Sequence, residues 1–376
     1  MHIKTIEPIA VSLPMLKPVI MAGEEVRRAD NVLVRIAADS GLVGWGEAAS
    51  APVMTGETLE SIVAAVHYLA PALQGREAAD IEGALAAMDG RMYGNHGAKA
   101  AIEIALHDLA GQAAGKPVHA LLGHKKRSRL PLLGVIGGGD LDGDLRDAEK
   151  KKAAGVTAYK IKVGIDTPEN DAARTRAIRK VLGKGMLISA DANQGFSTDE
   201  ALTYVRAVDG AGLDFFEQPV MADDLVGMAQ VAAATSIAIG ADEGIHSLDD
   251  IRRHHEKKAA RGVSLKAIKL GGARAVTQAA TLCDTLGMSV NISCKTGESS
   301  VACAAALHVA CVIPNIAWGL TLTHGQLAQD VTTQPLPASQ SHADALDRPG
   351  LGVEVDEDRV RRHRVAGNSI RHAVPA

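Results

Sequence analysis

Six charged residues recur at near-constant intervals in the second half of the chain: Lys160 and Lys162, then Asp191, Glu217, Asp242 and Lys266, with 24 to 29 residues between successive members from Lys162 onward. Each closes a short apolar run, and the interval is about the length of one strand–helix unit, so parallel strands of a barrel would bring all six to one mouth. Three carboxylates gathered there repel one another and lose solvation unless a cation stands among them. Asp and Glu with no His or Cys pattern nearby favour a hard divalent ion, Mg2+, for which Mn2+ can substitute. Of the neighbours Asp242 and Glu243, strand alternation lets one face the ion, and Asp242 is the choice. Lys160 and Lys162 are two apart and share a strand face. Beside each other and a divalent cation, one of them is expected to fall from about 10.4 toward neutrality and act as a base. Lys266, four strands further round, approaches from the other side. Two lysines flanking one carbon, with a metal on the adjacent carboxylate, are a layout for removing and returning an α-proton. Lys269, on the opposite strand parity before the Gly271-Gly272 turn, reads as a solvent lysine outside the site.

The elements that must position these groups follow from periodicity. Ile3 to Leu13 and Asn31 to Ala38 alternate, and the Asp39-Ser40-Gly41 turn leads into Leu42 to Ala48, which predicts an antiparallel meander. From Thr58 to about Gly123 the period becomes 3.6 and the composition Ala- and Leu-rich, so residues 1–124 read as an α+β domain. After Arg129, β-rich runs alternate with amphipathic stretches. The runs are Leu130 to Ile136, Ala158 to Val163, Met186 to Ala190, Leu213 to Phe216, Ile237 to Ala241, Ser264 to Ile268, Met288 to Ile292 and Ile316 to Trp318. Eight strands separated by helices predict an α/β fold, a (β/α) barrel over residues 125–335 with an irregular eighth unit. Residues 336–376 form a C-terminal segment that could fold back on the first domain.

Composition narrows the function. A net charge of −4 over 376 residues gives no electrostatic reason to bind nucleic acid or an anionic membrane. Aromatic residues make up 2% of the chain, too few for base-stacking platforms. Cys283, Cys294, Cys303 and Cys311 lie close together in no CxxC spacing, which argues against a disulfide framework or a thiolate zinc site. The first residues alternate like a strand rather than forming a leader, and no stretch reaches 18 uncharged apolar residues. A cytoplasmic protein is the expectation.

At these residues the chain resembles the enolase superfamily, and within it the muconate lactonizing enzyme subgroup (mandelate racemase/muconate lactonizing enzyme family). The matching motifs are Lys160-Ile161-Lys162, Asp191-Ala192-Asn193, Glu217-Gln218-Pro219, Asp242-Glu243 and Lys266 to Gly272, with Gly41 to Glu47 and Ala98 to Asp108 upstream. The resemblance implies a modified TIM (β/α)7β barrel with an N-terminal α+β capping domain. It implies that Asp191, Glu217 and Asp242 bind Mg2+, that Lys162 and Lys266 are acid/bases on the two faces of the substrate, and that Lys160 tunes Lys162. Asn193 and Glu243 would orient ligands or Lys266, and two cap loops, Lys17 to Arg28 and Ala51 to Glu57, would close the site. The implied activity is isomerisation of a small carboxylate through an enediolate, by a racemase, epimerase or cycloisomerase working as a homo-oligomer. Acid-sugar dehydration and a non-catalytic binding barrel stay open as alternatives. Lys295 and Glu298 are the candidate substrate-binding positions of the seventh-strand region: Lys295 puts an extra cation near the mouth, where it would bind a second anionic group of the substrate, and Glu298 fits a family glutamate if one residue is inserted.

Overall fold

The computed structural model describes residues 1–21, 24–137 and 140–365. Its first sheet is antiparallel in the order β1 (Ile3–Met21), β2 (Glu24–Ala38) and β3 (Val43–Ala49). The meander is as expected, but its first two strands run further than the alternation suggests. After an irregularity between Pro14 and Val19 the pairing resumes at Val19 opposite Val26, so most of the expected loop from Lys17 to Arg28 is a β-ribbon. Residues 22 and 23 at its tip lie outside the described residues.

Four helices of the cap back this sheet or its neighbours: Leu59–Leu73, Ile81–Arg91, His96–Ala114 and Val118–Leu122. The helix His96–Ala114 is buried along nearly its whole length. Gly44 and Gly46 of β3 permit that approach, because a Cβ at Gly46 would run into the Ala101 carbonyl and one at Gly44 into that of Ala105.

The second sheet follows β4 (Arg129–Pro131) and comprises β5 (Leu133–Ile136), β6 (Ala158–Lys162), β7 (Leu187–Asp191), β8 (Phe215–Glu217), β9 (Ala238–Ala241), β10 (Gly262–Leu265), β11 (Ser289–Ser293) and β12 (Leu320–Thr321). All neighbours are parallel, and a bridge from Leu132 to Leu320 brings the last strand beside the first. The strands are buried on both faces, as in a sheet wrapped by helices, with the charged side chains of β6 and β7 on the inner one. Five successive barrel helices start on a side-chain cap: Asp140, Thr167, Ser197, Asp224 and Ser247 each accept a hydrogen bond from the backbone N–H three residues on.

Two strand assignments need correction. Leu130 to Ile136 is not one strand: β4 pairs antiparallel with β13 (His342–Asp344), and only Leu133–Ile136 enters the barrel. The eighth strand is Leu320–Thr321, beyond the Ile316 to Trp318 run. Trp318 is apolar for a different reason, since its ring stacks on Phe215 at 4.1 Å and fills space left by Gly240 and Gly262. A 3-10 turn, His324–Gln326, follows β12 in place of an eighth helix, so the barrel is of the (β/α)7β type.

The chain returns to the cap at Gly350, whose carbonyl accepts the Val118 N–H at 2.9 Å, and again from Glu357. Val365 donates its N–H to the Ala10 carbonyl at 3.0 Å, and Arg35 Nε lies 3.2 Å from Glu357. The rest of the expected C-terminal segment, residues 366–376, lies outside the described residues. Among the described residues no helix is long and apolar enough to cross a membrane.

Candidate active site

The register of the barrel brings the spaced charges together. Lys162 pairs in the ladder with Asp191, and Asp191 with Glu217, while Asp242 lies just past the end of β9 and Lys266 just past that of β10. All three carboxylates are at most 2% exposed. Lys160, Lys162, Asp191, Asn193, Asp242, Lys266 and Lys295 line one cleft of ≈ 700 Å³ that opens to solvent at the C-terminal end of the strands. Val19 from the β1–β2 ribbon and Met54 from the helix Pro52–Thr55 close its upper side, so both expected cap segments reach it.

The lysines and carboxylates interleave. Lys160 Nζ lies 2.6 Å from Glu217 and 3.8 Å from Asp191. Lys162 Nζ donates to Asp191 Oδ2 at 2.7 Å and to Asn193 Oδ1 at 2.5 Å, and a quarter of its side chain is exposed to the cleft. Lys266 donates to Asp242 Oδ2. Strand order puts β6 and β10 on opposite sides of the barrel, so Lys162 and Lys266 face each other across the cleft. Glu298 is buried behind the cleft rather than on its wall, where its Oε2 accepts the Lys295 N–H at 3.0 Å.

The carboxylates dominate the charge state of Lys160 and Lys266. Burial pushes Lys160 down, but Glu217, Asp191 and Asp242 overcome it and hold the ammonium above its ordinary range; Lys266 is held up in the same way, chiefly by Asp242. Burial raises Glu217, with Asp191 and Asp242 adding to it, whereas Lys162 and Lys160 bring Asp191 down against burial. Asp242 is lowered too, by Lys266 and Lys269 acting against burial. Burial, then Asp242, lifts Glu243 to about 7.

Lys269 is the larger correction. It is fully buried, and its ammonium donates to Asp242 Oδ1 at 2.6 Å, to the Asp242 carbonyl, and to the Ser264 carbonyl at 3.0 Å. The strand ends at Leu265, and Ala267–Leu270 is a helical turn. A residue three along such a turn comes back to the side of Lys266, so strand parity does not apply there.

Two connecting groups complete the cluster. Asn193 stands at φ 43°, in the left-handed region, and its amide bridges the site: Oδ1 accepts from Lys162 while Nδ2 donates to Glu243 Oε1 at 3.0 Å. Gln218, at φ 35°, was not singled out from sequence. Its Oε1 accepts the Asp242 N–H at 2.9 Å and so ties the end of β9 to that of β8. Strained backbone of this kind costs on the order of 1–3 kcal/mol per residue and persists where the surroundings fix it.

A divalent ion suits the donor set. Asp191, Glu217 and Asp242 offer only oxygens from adjacent strand ends, and both Glu217 carboxylate oxygens are buried without a hydrogen bond despite the nearby Lys160. As the side chains stand, ammonium groups lie between the carboxylates, and among the described residues no three Asp, Glu, His or Cys side chains meet at one point.

Comparison with known proteins agrees with this geometry. Residues 5–123 match the mandelate racemase/muconate lactonizing enzyme N-terminal domain, and residues 144–359 the enolase C-terminal domain-like family. The chain is 34% identical over 359 residues to the L-Ala-D/L-Glu epimerase of Bacillus subtilis, covering 94% of this chain and 97% of that one. It is 31% identical over 376 residues to the N-succinyl-L-Arg/Lys racemase of Bacillus cereus, covering 99% and 100%. The crystal structure of a muconate lactonizing enzyme from Pseudomonas fluorescens complexed with muconolactone superposes with a TM-score of 0.93 at 30% identity, covering 97% of this chain and 99% of that one. Enzymes of this kind work with a divalent metal ion.

Proposed function

The chain belongs to the mandelate racemase/muconate lactonizing enzyme family of the enolase superfamily, and from that premise we propose that it is an Mg2+-dependent isomerase of a small carboxylate. It takes the proton α to the carboxylate and returns a proton to the resulting enediolate, as a racemase or epimerase of an amino-acid derivative or as a cycloisomerase. Asp191, Glu217 and Asp242 would hold the ion, which supplies a Lewis acid for the substrate carboxylate. The observation that carries this reading is the opposition of Lys162 and Lys266 across one cleft.

An α-carbon held between the two ammonium sites has one lysine on each face. The lysine that has lost its proton takes the α-hydrogen, and the protonated one opposite delivers its own, which inverts the centre. A reaction that needs a proton moved on one face uses one of them. Lys160 acts through its neighbours rather than on substrate: it is 3% exposed, and its ammonium lies 2.6 Å from Glu217 and 3.8 Å from Asp191, the carboxylate that Lys162 also holds. Asn193 orients Lys162, and Glu243 holds the far end of that amide. Val19 and Met54 shield the reacting carbon from water. In the same reading the protein is a cytoplasmic homo-oligomer.

The test is α-proton exchange. Protein with Mg2+ is incubated in D2O with N-acyl amino acids, dipeptides, amino-acid betaines, muconolactones and acid sugars, and deuterium incorporation is read by mass spectrometry. Exchange that stops on adding EDTA and in Lys162→Ala supports the proposal. Loss of water from an acid sugar would move the reading to dehydration, and binding without exchange anywhere in the panel would move it to a non-catalytic barrel.

A further inference from the structure

The cleft has a second wall that proton transfer does not use, made by Lys295 just beyond β11 together with Thr321 of β12 and Gln326. Its polar groups are incomplete. Thr321 is 6% exposed and its Oγ1 has no hydrogen-bond partner, and neither has Gln326 Oε1. Among the described residues no hydrogen bond or ion pair holds the Lys295 ammonium, although its backbone is fixed: the N–H donates to Glu298 Oε2 at 3.0 Å and the carbonyl accepts from Thr323 Oγ1 at 2.8 Å. Burial pushes that ammonium down, while Glu298 and Asp30 pull it up. Glu298 is itself lifted to about 8, mainly by burial. A desolvated cation and two orphaned buried oxygens each cost free energy until a ligand supplies the missing partner.

We infer that Lys295, Thr321 and Gln326 form a specificity subsite for the distal end of the substrate, pairing Lys295 with a second anionic group and Gln326 Oε1 with an N–H or O–H donor. The inference rests on the proposed function for the position of the first carboxylate. It narrows the substrate class to small dianions that carry a hydrogen-bond donor between their two charged ends. The Thr321 hydroxyl is free to donate to the second anion, and Lys295 supplies most of the discrimination, since a charge-assisted contact outweighs a neutral one.

The experiment compares matched pairs that differ only in the distal charge. N-malonyl-, N-succinyl- and N-glutaryl-L-alanine are each paired with the analogue whose distal carboxylate is a carboxamide, and the three lengths span the unknown reach. Binding to the Mg2+-loaded protein is measured by calorimetry, and α-proton exchange in D2O is read on the same samples. The expected result is at least one length at which the dianion binds tenfold or more tighter than its half-amide, with that ratio falling to about one in Lys295→Met and returning in Lys295→Arg. No preference for the dianion at any length, including no binding of either partner, overturns the inference, as does a preference that survives in Lys295→Met. Lys295-dependent binding without metal-dependent exchange would support the subsite while overturning the proposed function, so the two failures are distinguishable.

Discussion

The Glu47 carboxylate, on the third strand of the cap, accepts both the backbone N–H of Ser299 at 2.9 Å and its hydroxyl at 2.5 Å, and so closes the start of the barrel helix Ser300–Val312 from another domain. The Ala302 N–H adds a further bond at 3.0 Å. Glu103, in the cap helix His96–Ala114, does the same for the helix Ala273–Thr285, accepting from Ala273 and Arg274. Orphan donors at two barrel helix ends are thus satisfied by cap carboxylates.

The first contact predicts a pH dependence of stability. Burial lifts Glu47 from 4.5 to about 7 against the hydrogen bonds from Ser299 and Ala302 that oppose it. Between those values the folded protein keeps a proton that the unfolded chain has released, so stability is full below the lower value and declines as pH rises through the upper one, by about 3 kcal/mol. Glu47→Gln should make this part of the profile shallower in urea unfolding, leaving the contributions of Glu298, lifted to about 8, and Glu243, lifted to about 7. Equal slopes in the two proteins would remove Glu47 as its source.

Lys162→Ala and Lys266→Ala should each abolish racemisation by more than about 10³-fold while leaving the fold intact, which is the scale of general acid–base contributions. Stereospecific exchange of substrate enantiomers separates the faces: each variant should lose exchange of one enantiomer first. Parent rates in both variants would rule out two bases.

Metal affinity should depend on Glu217. Replacing it with Gln removes a charge from a cluster whose two Glu217 oxygens have no hydrogen bond, and Mn2+ titration followed by electron paramagnetic resonance should show binding weakened about tenfold or more. Unchanged affinity would take Glu217 out of the ligand set.

Lys269→Met should lower stability by roughly 3 kcal/mol, because it deprives buried Asp242 of one of two ammonium partners. Chemical denaturation of the metal-free protein isolates this effect. A change within a few tenths of a kcal/mol would show that Lys266 alone neutralises Asp242.

Gly262→Ala tests the floor of the barrel. The added Cβ would meet both the Trp318 ring and the Ser289 carbonyl, and overpacking of this type costs about 1–3 kcal/mol. Thermal unfolding should show a clear loss for Gly262→Ala, whereas Gly210→Ala, in open space but at φ 72°, should lose only the smaller cost of its left-handed backbone.

The gathering of charged residues at one end of the barrel was legible in sequence because successive units each deliver one at the end of a strand, so spacing alone carries that geometry. Lys269 was not, since its burial depends on the strand giving way to a helical turn at Ala267, and a window of apolar residues does not mark that change. The eighth strand was displaced because Trp318 looks like strand material and is instead a ring that plugs the barrel. Glu47 could not be assigned a role, since its partners lie some 250 residues away and only the folded chain brings them together. Gln218 was visible inside its motif, but its work of tying two strand ends depends on a positive φ that no residue pattern announces.

The β1–β2 ribbon begins as the sheet of the cap and ends with Val19 on the wall of the cleft. One continuous strand therefore carries two separable duties along its length. Its lower half answers to the hydrophobic core, where Val11 and Leu13 are fully buried, and tolerates little change. Its upper half, where Val19 packs against the same core and also lines the cleft, answers in addition to whatever molecule enters. A lineage of such enzymes could exchange substrates by rewriting the cleft-facing part of this one strand around Val19, with the barrel and its lysines left untouched.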